Sequence, residues 1–453
     1  MYKSFIAKAD APTPVLLISE TSWSEISATL SPDIAALAKV TAFTGASGQM
    51  VVGATAEGLP SAVLFGIGKA SDALIVAGLS ARLPEGDYRI EESGGLPLDQ
   101  IAAGWADGAY RFDRYLKDKA NPPRLEIGEG DEADAISREA EAVALVRDLV
   151  NTPAADMGPV NIEAAISDLA KQFGAEVSVI TGDDLLEANY PMVHAVGRAA
   201  VQAPRFIELS WGKDSDPELA LVGKGVAYDT GGLNLKTGNY MRIMKKDMGG
   251  SAHAIALASL VMGAGLPVRL KLYVPAVENA IAADAFRPGD ILSSRKGLSV
   301  EIDNTDAEGR LILADALTRA SESSPDLLID FATLTGAARV ALGPELAPFY
   351  TDDETVADAI WTGGRESGDP VWRMPLWDPY LSMLKSSIAD MQNAGGGMAG
   401  SITAAVFLKQ FVDAERWVHL DVWAWRNGKY GRPEGGAACG LRAMWSMVSS
   451  RYK

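Results

Sequence analysis

"LSVEIDNTDAEGRLILADAL", residues 298–317, holds a change of backbone within one short stretch. Leu298, Val300 and Ile302 alternate with polar residues, the period of a half-buried strand. "RLILADAL" has the composition of a helix. A polar turn, Asn304 to Arg310, joins the two. The same alternation runs through the surrounding chain. "ELALVGKG", "VRLKLYVPAV" and "DLLIDFATL" read as strands, whereas "GGSAHAIALASLVMGAG", "RLILADALTRASES" and "SITAAVFLKQFV" read as helices. This predicts an α/β fold with a central mixed, largely parallel sheet covered by helices. Ligands of such open sheets bind beyond the carboxyl ends of the strands, which is where the 304–310 turn falls.

The first 130 residues follow a weaker version of the pattern. "TPVLLIS", "SAVLFGIG" and "ALIVAGL" read as strands or buried segments, and "DIAALAKV" as a short helix. "GIGKAS" (66–71) lacks the first glycine of a phosphate loop and reads as a strand-end turn. The proline pair in "KANPPRL" and the polar "GEGDEAD" mark a boundary near residue 130. From Asp131 to Val150, Ile136, Ala140, Val143 and Val146 or Val150 fall roughly on one face of a long helix that stops before Pro153. Two α/β domains are therefore expected, a smaller one over 1–130 and a larger one over 131–453, with 131–150 as a linking helix.

With 453 residues, 48% hydrophobic and 22% charged, the chain is long enough for two buried cores and is neither disordered nor fibrous. Its 41 basic and 59 acidic residues give a net charge of -18. Phosphate backbones repel such a surface, and no run of Lys and Arg offsets it, so nucleic acid is disfavoured as a partner. Cys439 is the only cysteine, which rules out a disulfide within the chain and suits a reducing compartment. The opening residues "MYKSFIAKADAPTP" contain no apolar signal core, and no uncharged apolar stretch reaches membrane-span length. A cytoplasmic protein without a membrane partner is the expectation.

Chemistry gathers at the strand ends. In an extended segment, residues two apart point the same way, so Asp306, Glu308 and Arg310 are expected to converge. Two carboxylates that close need a cation or a proton between them; an acidic first turn at a helix N-terminus is the other reading of the same residues. A second cluster lies in "LVGKGVAYDTGGLNLKTGNYMRIMKKDMGG". Lys224 follows a strand, Asp229 lies in a glycine-rich turn, Lys236 comes next, and Asp247 stands near a helix start. If Asp229, Asp247, Asp306 and Glu308 line one site, two divalent cations balance them, and oxygen donors suit Mn, Mg or Zn. Only His194, His253 and His419 are present, which argues against a histidine-built zinc site. His419, in "WVHLDVWAW", reads as a structural histidine in a buried strand. Met241, Met244 and Met248 form a stripe that reads as core packing, and "GGGMAGS" (395–401) as a loop before a helix capped by Ser401.

"VGKGVAYDTGG", "KKDMGG" and "NTDAEGRL" resemble the signature segments of the leucyl aminopeptidase family, the M17 metallopeptidases. The resemblance continues through "DLVNTPAADMGP", "HAVGRAAVQAPRFIEL", "DFATLTGAARVALG", "AGSITAAVFLKQFV" and "WVHLDVWAW", spanning about residues 145 to 427. It implies a macro-domain-like N-terminal domain, a C-terminal catalytic domain and hydrolysis of the N-terminal peptide bond of peptides. It also implies one divalent metal held by Asp229, Asp306 and Glu308, and another held by Lys224, Asp229, Asp247 and Glu308. Mn or Zn is expected, with Mg or Co as alternatives. The resemblance makes Lys236 the lysine that stabilises the oxyanion, and Arg310 the holder of a bicarbonate general base. Met244, Thr333, Leu334 and Gly336 become the lining of the side-chain pocket. A homohexamer is the implied assembly.

Two departures bear on specificity. "GGLNLKTG" follows Asp229 where many members carry a Lys-Pro pair, and the tail "GKYGRPEGGAACGLRAMWSMV" differs from the commoner one. Two alternatives stay open: a narrow dipeptidase acting on a substrate such as Cys-Gly at the same centre, and a non-catalytic nucleic-acid-binding regulator on the same fold. The charge and the intact ligand set count against the second.

Overall fold

A computed structural model describes residues 1–69, 73–428 and 433–453. Ala70 and Ser71 of "GIGKAS", and residues 429–432 of the tail, lie outside the described residues. The chain forms two compact units: 1–144 with 426–435, and 145–425 with 436–453.

The first unit is built on a six-stranded sheet in the order Phe5–Ile6, Arg124–Glu126, Asp87–Glu92, Thr13–Ser19, Pro60–Gly68, Met50–Ala54. Its strands pair in parallel except at the Met50–Ala54 edge. Strand periodicity loads both faces. Val15, Leu17, Val63 and Phe65 join one core with Trp105 and Tyr88, while Ile18 and Leu64 join another with Ile34 and Phe43. "ALIVAGL" is not a strand. It forms a tight turn of helix, Ala73–Val76, and continues as the helix Ala77–Ser80. A short apolar run is equally compatible with a buried strand or a buried helix, and tertiary packing decides here.

The helix Asp131–Asn151 bears out the 3.6-residue spacing read from the sequence. Ala133, Ile136, Ala140 and Ala144 enter the core of the first unit, and the residues from Leu145 onward belong to the second.

The second unit carries a nine-stranded mixed sheet. Its order is Val371–Arg373, Ala347–Tyr350, Trp417–Asp421, Leu327–Ala332, Glu218–Gly223, Arg269–Asn279, Arg205–Trp211, Glu176–Thr181, with Gly225–Asp229 pairing onto Arg269–Asn279. The five strands Trp417–Asp421, Leu327–Ala332, Glu218–Gly223, Arg269–Asn279 and Gly225–Asp229 run parallel. Their carboxyl ends, at Asp421, Ala332, Gly223, Asn279 and Asp229, therefore share one edge. The helices Gly249–Gly263 and Glu308–Ser321 pack against this parallel block. Leu311, Ile312 and Ala316 are fully buried in the core beside Leu328 and Val222.

Two local expectations are corrected. The strand in "LSVEIDN" is confined to Ser299–Glu301, and Glu308 is already the first residue of the helix Glu308–Ser321. Ser401 does not cap its helix. The helix Gly400–Lys409 starts after Ala399, which sits at φ 56°, and the Ser401 hydroxyl is 2.5 Å from Tyr350 Oη. Among the described residues no helix is long and apolar enough to cross a membrane.

Asp315 locks the sheet's covering helices together. It is fully buried in Glu308–Ser321. Its Oδ2 accepts from the backbone N–H of Met192 (2.8 Å) and Val193 (3.3 Å), in the first turn of the helix Pro191–Gly197, and its Oδ1 accepts from Arg295 N (2.8 Å). Burial pushes its carboxyl up to about 7, against the pull of these donors. Asp315→Ala leaves two buried donors and one half-buried donor unmet and is expected to destabilise this unit by about 2–4 kcal/mol. Urea denaturation of the variant against wild type measures this; a change under about 0.5 kcal/mol contradicts it.

Candidate active site

The shared strand edge brings the charged residues of both sequence clusters together. Lys224 follows the Glu218–Gly223 strand directly, with its N–H bonded to Phe331 O at 3.0 Å and its C=O accepting from Ser251 N at 2.8 Å. Asp229 ends the Gly225–Asp229 strand. Asp247 precedes the helix Gly249–Gly263 at the end of the tight helical turn Tyr240–Met248. Asp306 lies in the turn before Glu308.

One carboxylate oxygen each from Asp229, Asp306 and Glu308 lies within 4.8 Å of the others. The convergence expected for Asp306 and Glu308 is thus present, but it arises from a turn entering a helix rather than from an extended strand. Arg310 makes no ion pair with them within 4.0 Å among the described residues, although the Glu308 charge acts on it. Its Nη1 donates to Asn393 O at 2.5 Å, its guanidinium packs over Phe407, and its buried Nε–H has no acceptor among the described residues.

Two lysines face the carboxylates. Lys224 Nζ lies 2.7 Å from Asp247 Oδ2 and 2.9 Å from Glu308 Oε1, and donates to Thr333 O at 2.9 Å. Lys236 Nζ lies 2.6 Å from Asp229 Oδ2 and 2.5 Å from Asp306 Oδ1. Asp229, Asp247 and Glu308 are at most 3% exposed. Four carboxylates thus meet two ammonium groups at close range, with a third, Lys246, 4.0 Å from Asp247 Oδ1.

The titration directions report this imbalance. Burial, then repulsion from Asp229, pushes Glu308 well above the usual carboxylate range and Asp306 up to about 6. Burial also opposes the charged form of Asp229, but Lys236 and Lys224 outweigh it and hold its pKa below normal. Burial works against the Lys224 ammonium, yet Asp247, Glu308 and Asp229 hold its proton more tightly than usual. Lys246, beside Asp247, is instead lowered to about 8 by burial.

Both Oε atoms of Glu308 and Asp247 Oδ2 are buried without a hydrogen-bond donor in proper geometry among the described residues. Oxygen acceptors of this kind, crowded and short of positive charge, fit divalent cations.

Uncharged side chains that sequence reasoning missed hold the charged ones in place. Asn279 Nδ2 donates to Asp229 Oδ1 (2.8 Å) and Thr305 O (3.1 Å). Thr305 Oγ1 donates to Gly231 O (2.6 Å), and Asn234 Oδ1 accepts from Thr305 N (2.8 Å), tying the glycine-rich turn to the 304–306 turn. Asn393 Oδ1 accepts from Asp303 N and Asn304 N at 2.9 and 3.1 Å. Asn234 lies in "GGLNLKTG", the departure flagged above, and was the one available cue. Gly231, at φ 88°, turns its N–H onto Asp229 Oδ1 at 2.8 Å.

Beside the carboxylates opens a cavity of about 700 Å³. Lys224, Asp229, Lys236, Asp247 and Asp306 line it, as do Met244, Thr333, Leu334 and Gly336; Glu308 and Arg310 do not. Thr333 does more than line it, since its hydroxyl bonds Asp247 Oδ1 at 2.8 Å. Met244 and Met248 are buried, and Met244 alone of the methionine stripe reaches the cavity. His419 is fully buried with Nδ1 2.6 Å from Asp330 Oδ1, away from the cavity.

Residues 144–445 match the model of the cytosol aminopeptidase family, catalytic domain, and residues 13–127 that of the M17 aminopeptidase N-terminal domain. The chain belongs to this family. A probable cytosol aminopeptidase of Syntrophotalea carbinolica is 39% identical over 444 residues, covering 90% of this chain and 89% of that protein. The crystal structure of cytosol aminopeptidase from Coxiella burnetii superposes with a TM-score of 0.93 at 39% identity, covering 98% of both chains. The bottromycin maturation enzyme BotP in complex with Mn gives a TM-score of 0.86 at 30% identity, over 98% of this chain and 100% of that one. As a family member, the chain is a metal-dependent aminopeptidase with the two-domain α/β architecture.

Gly309 tests how tightly the cage is built. A Cβ there would stand 2.5 Å from Lys224 Cε and 2.6 Å from its Nζ. Gly309→Ala is expected to displace Lys224 and weaken Mn binding at least about tenfold, with the far-ultraviolet spectrum unchanged. Calorimetric titration of Mn into both proteins decides it, and equal affinities would contradict the contact.

Proposed function

We propose that the chain removes N-terminal residues from peptides at a two-cation centre. One cation would be held by Asp229, Asp306 and Glu308, and the other by Lys224, Asp229, Asp247 and Glu308, with Asp229 and Glu308 shared. The observation that carries this reading is the meeting of Asp229, Asp306 and Glu308 oxygens within 4.8 Å of one another, at the strand edge that also holds Lys224. When bound, the cation pair supplies a hydroxide near neutral pH and a binding point for the free α-amine. Mn or Zn suits the oxygen-rich donor set, with Mg or Co as alternatives.

The chain's own residues do the rest. Lys224 must give up the proton that Asp247 and Glu308 now hold before its Nζ can act as a ligand. Lys236, lining the cavity between Asp229 and Asp306, supplies the charge that stabilises a developing oxyanion. Arg310 is lowered to about 10 by burial, so it remains a cation at neutral pH. Its unmatched Nε–H is the donor a bicarbonate general base would take. Asn279 and Thr333 hold Asp229 and Asp247 in fixed orientations. Met244, Thr333, Leu334 and Gly336 form the pocket for the first side chain.

The relatives are named for the cytosol, and on that ground we assign the chain to the cytoplasm. The family resemblance supports a homohexamer, which a mass measurement in solution tests.

Chelation is expected to abolish hydrolysis of a leucine anilide, and Mn or Zn to restore it. Lys236→Ala should keep its metal and lose turnover about a hundredfold or more, while Glu308→Ala should lose metal as well. Metal content by elemental analysis, read beside kcat, separates the two roles. Hydrolysis that survives chelation, or equal metal content with near-normal rates in both variants, overturns the assignment.

A further inference from the structure

The cavity holds two cations that the chemistry above does not use. Lys246 is 3% exposed yet lines the cavity. No hydrogen-bond acceptor among the described residues takes its ammonium group, and its one carboxylate neighbour within 4.0 Å is Asp247 Oδ1. Asp247 Oδ2 faces Lys224 Nζ at 2.7 Å, and its Oδ1 accepts from the Thr333 hydroxyl at 2.8 Å.

Lys246 Nζ rests 4.2 Å from the centre of the Trp423 ring. The Arg339 guanidinium lies 5.9 Å from the same ring and also lines the cavity. Arg339 Nη2 donates to Asp421 O at 2.5 Å and Nη1 to Gly343 O at 3.4 Å, but its buried Nε–H has no acceptor among the described residues. The Asp421 carboxylate cannot fully answer it. Asp421 accepts from Leu334 N, Thr335 N and Thr335 Oγ1, and its Oδ1 stands 3.8 Å from Arg339 Nη2. The same cavity wall carries the apolar Met244, Val340, Val422 and Trp423 beside polar residues such as Tyr240 and Thr335. Poorly matched cations in such a wall are costly unless an anion meets them.

We propose that Lys246, with Arg339 beside the same indole, selects peptides whose N-terminal residue carries a carboxylate side chain. A guanidinium donates hydrogen bonds to a carboxylate, and Lys246 donates them in either protonation state. An aliphatic N-terminal residue would cover the indole but leave Lys246 Nζ and Arg339 Nε without an acceptor. A glutamate or aspartate side chain lying on Trp423 would meet them. This inference rests on the aminopeptidase reading and names the substrate class of that site.

The test uses the Mn-loaded enzyme and the anilides of glutamate, glutamine and leucine. Glutamine matches glutamate in shape and lacks only the charge. Wild type is expected to give kcat/KM for glutamate at least about tenfold above glutamine. Lys246→Met should bring that ratio to about one, and Lys246→Arg should keep it well above one. Independently of turnover, free L-glutamate should raise the melting temperature of the loaded wild type more than L-glutamine does. A wild-type ratio at or below one, a ratio unaltered by Lys246→Met, or equal thermal shifts overturns the selectivity. If the leucyl anilide is cut and the glutamyl preference is absent, only the selectivity falls. If the loaded enzyme cuts none of the three, the aminopeptidase reading falls with it.

Discussion

Charge concentration at a buried strand edge is the constraint on which this molecule turns. Asp229, Asp247 and Glu308 are almost wholly withdrawn from water, and Asp306 stands beside them. Carboxylates in that setting repel one another and lose hydration, so their surroundings must return positive charge. Lys224 and Lys236 return part of it. The parallel block supplies the position, because five strand ends fall on one edge and each delivers a residue or its neighbour to the same place. The glycines supply the room. Gly309 lets Lys224 lie against the start of a helix, and Gly231 lets the turn after Asp229 fold back onto its own carboxylate.

Much of this was legible in the amino-acid sequence. Alternation in "ELALVGKG" and "DLLIDFATL" placed strands, and charged residues at their ends with glycines nearby placed the cage. The departures, and the choices between open readings, have physical causes. "ALIVAGL" is too short for its period to separate strand from helix, and packing made it helical. Ser401 satisfies the local rule for a cap, but its hydroxyl meets Tyr350, a partner some fifty positions away that no local rule can see. Arg310 follows two carboxylates in the chain, yet the helix beginning at Glu308 turns it toward Asn393. Asn279, Thr305 and Asn393 escaped notice because they carry no charge and act across long separations in the chain.

The three histidines underline how the chain divides its labour. His253 is fully buried and pushed down to about 4 by burial; its Nδ1 lies 2.6 Å from Gly249 O, and Cys439 N donates to its Nε2 at 3.0 Å. His419 is spent on Asp330, and Trp417 Nε1 bonds the same carboxylate at 2.7 Å. His194 pairs with the exposed Asp183. Imidazole, the usual proton carrier near neutral pH, is thus committed to holding structure, and lysine and arginine are left to face the cavity.

The stitching of the glycine-rich turn to the 304–306 turn is done by Asn234, Thr305 and Asn279, none of which carries charge. Neutral hydrogen bonds of this kind are scarcely weakened by added salt, unlike exposed ion pairs. The scaffold and its contents therefore answer to different conditions. Ionic strength acts on the charges gathered at the strand edge, while the neutral bonds that link the two turns around them are left in place.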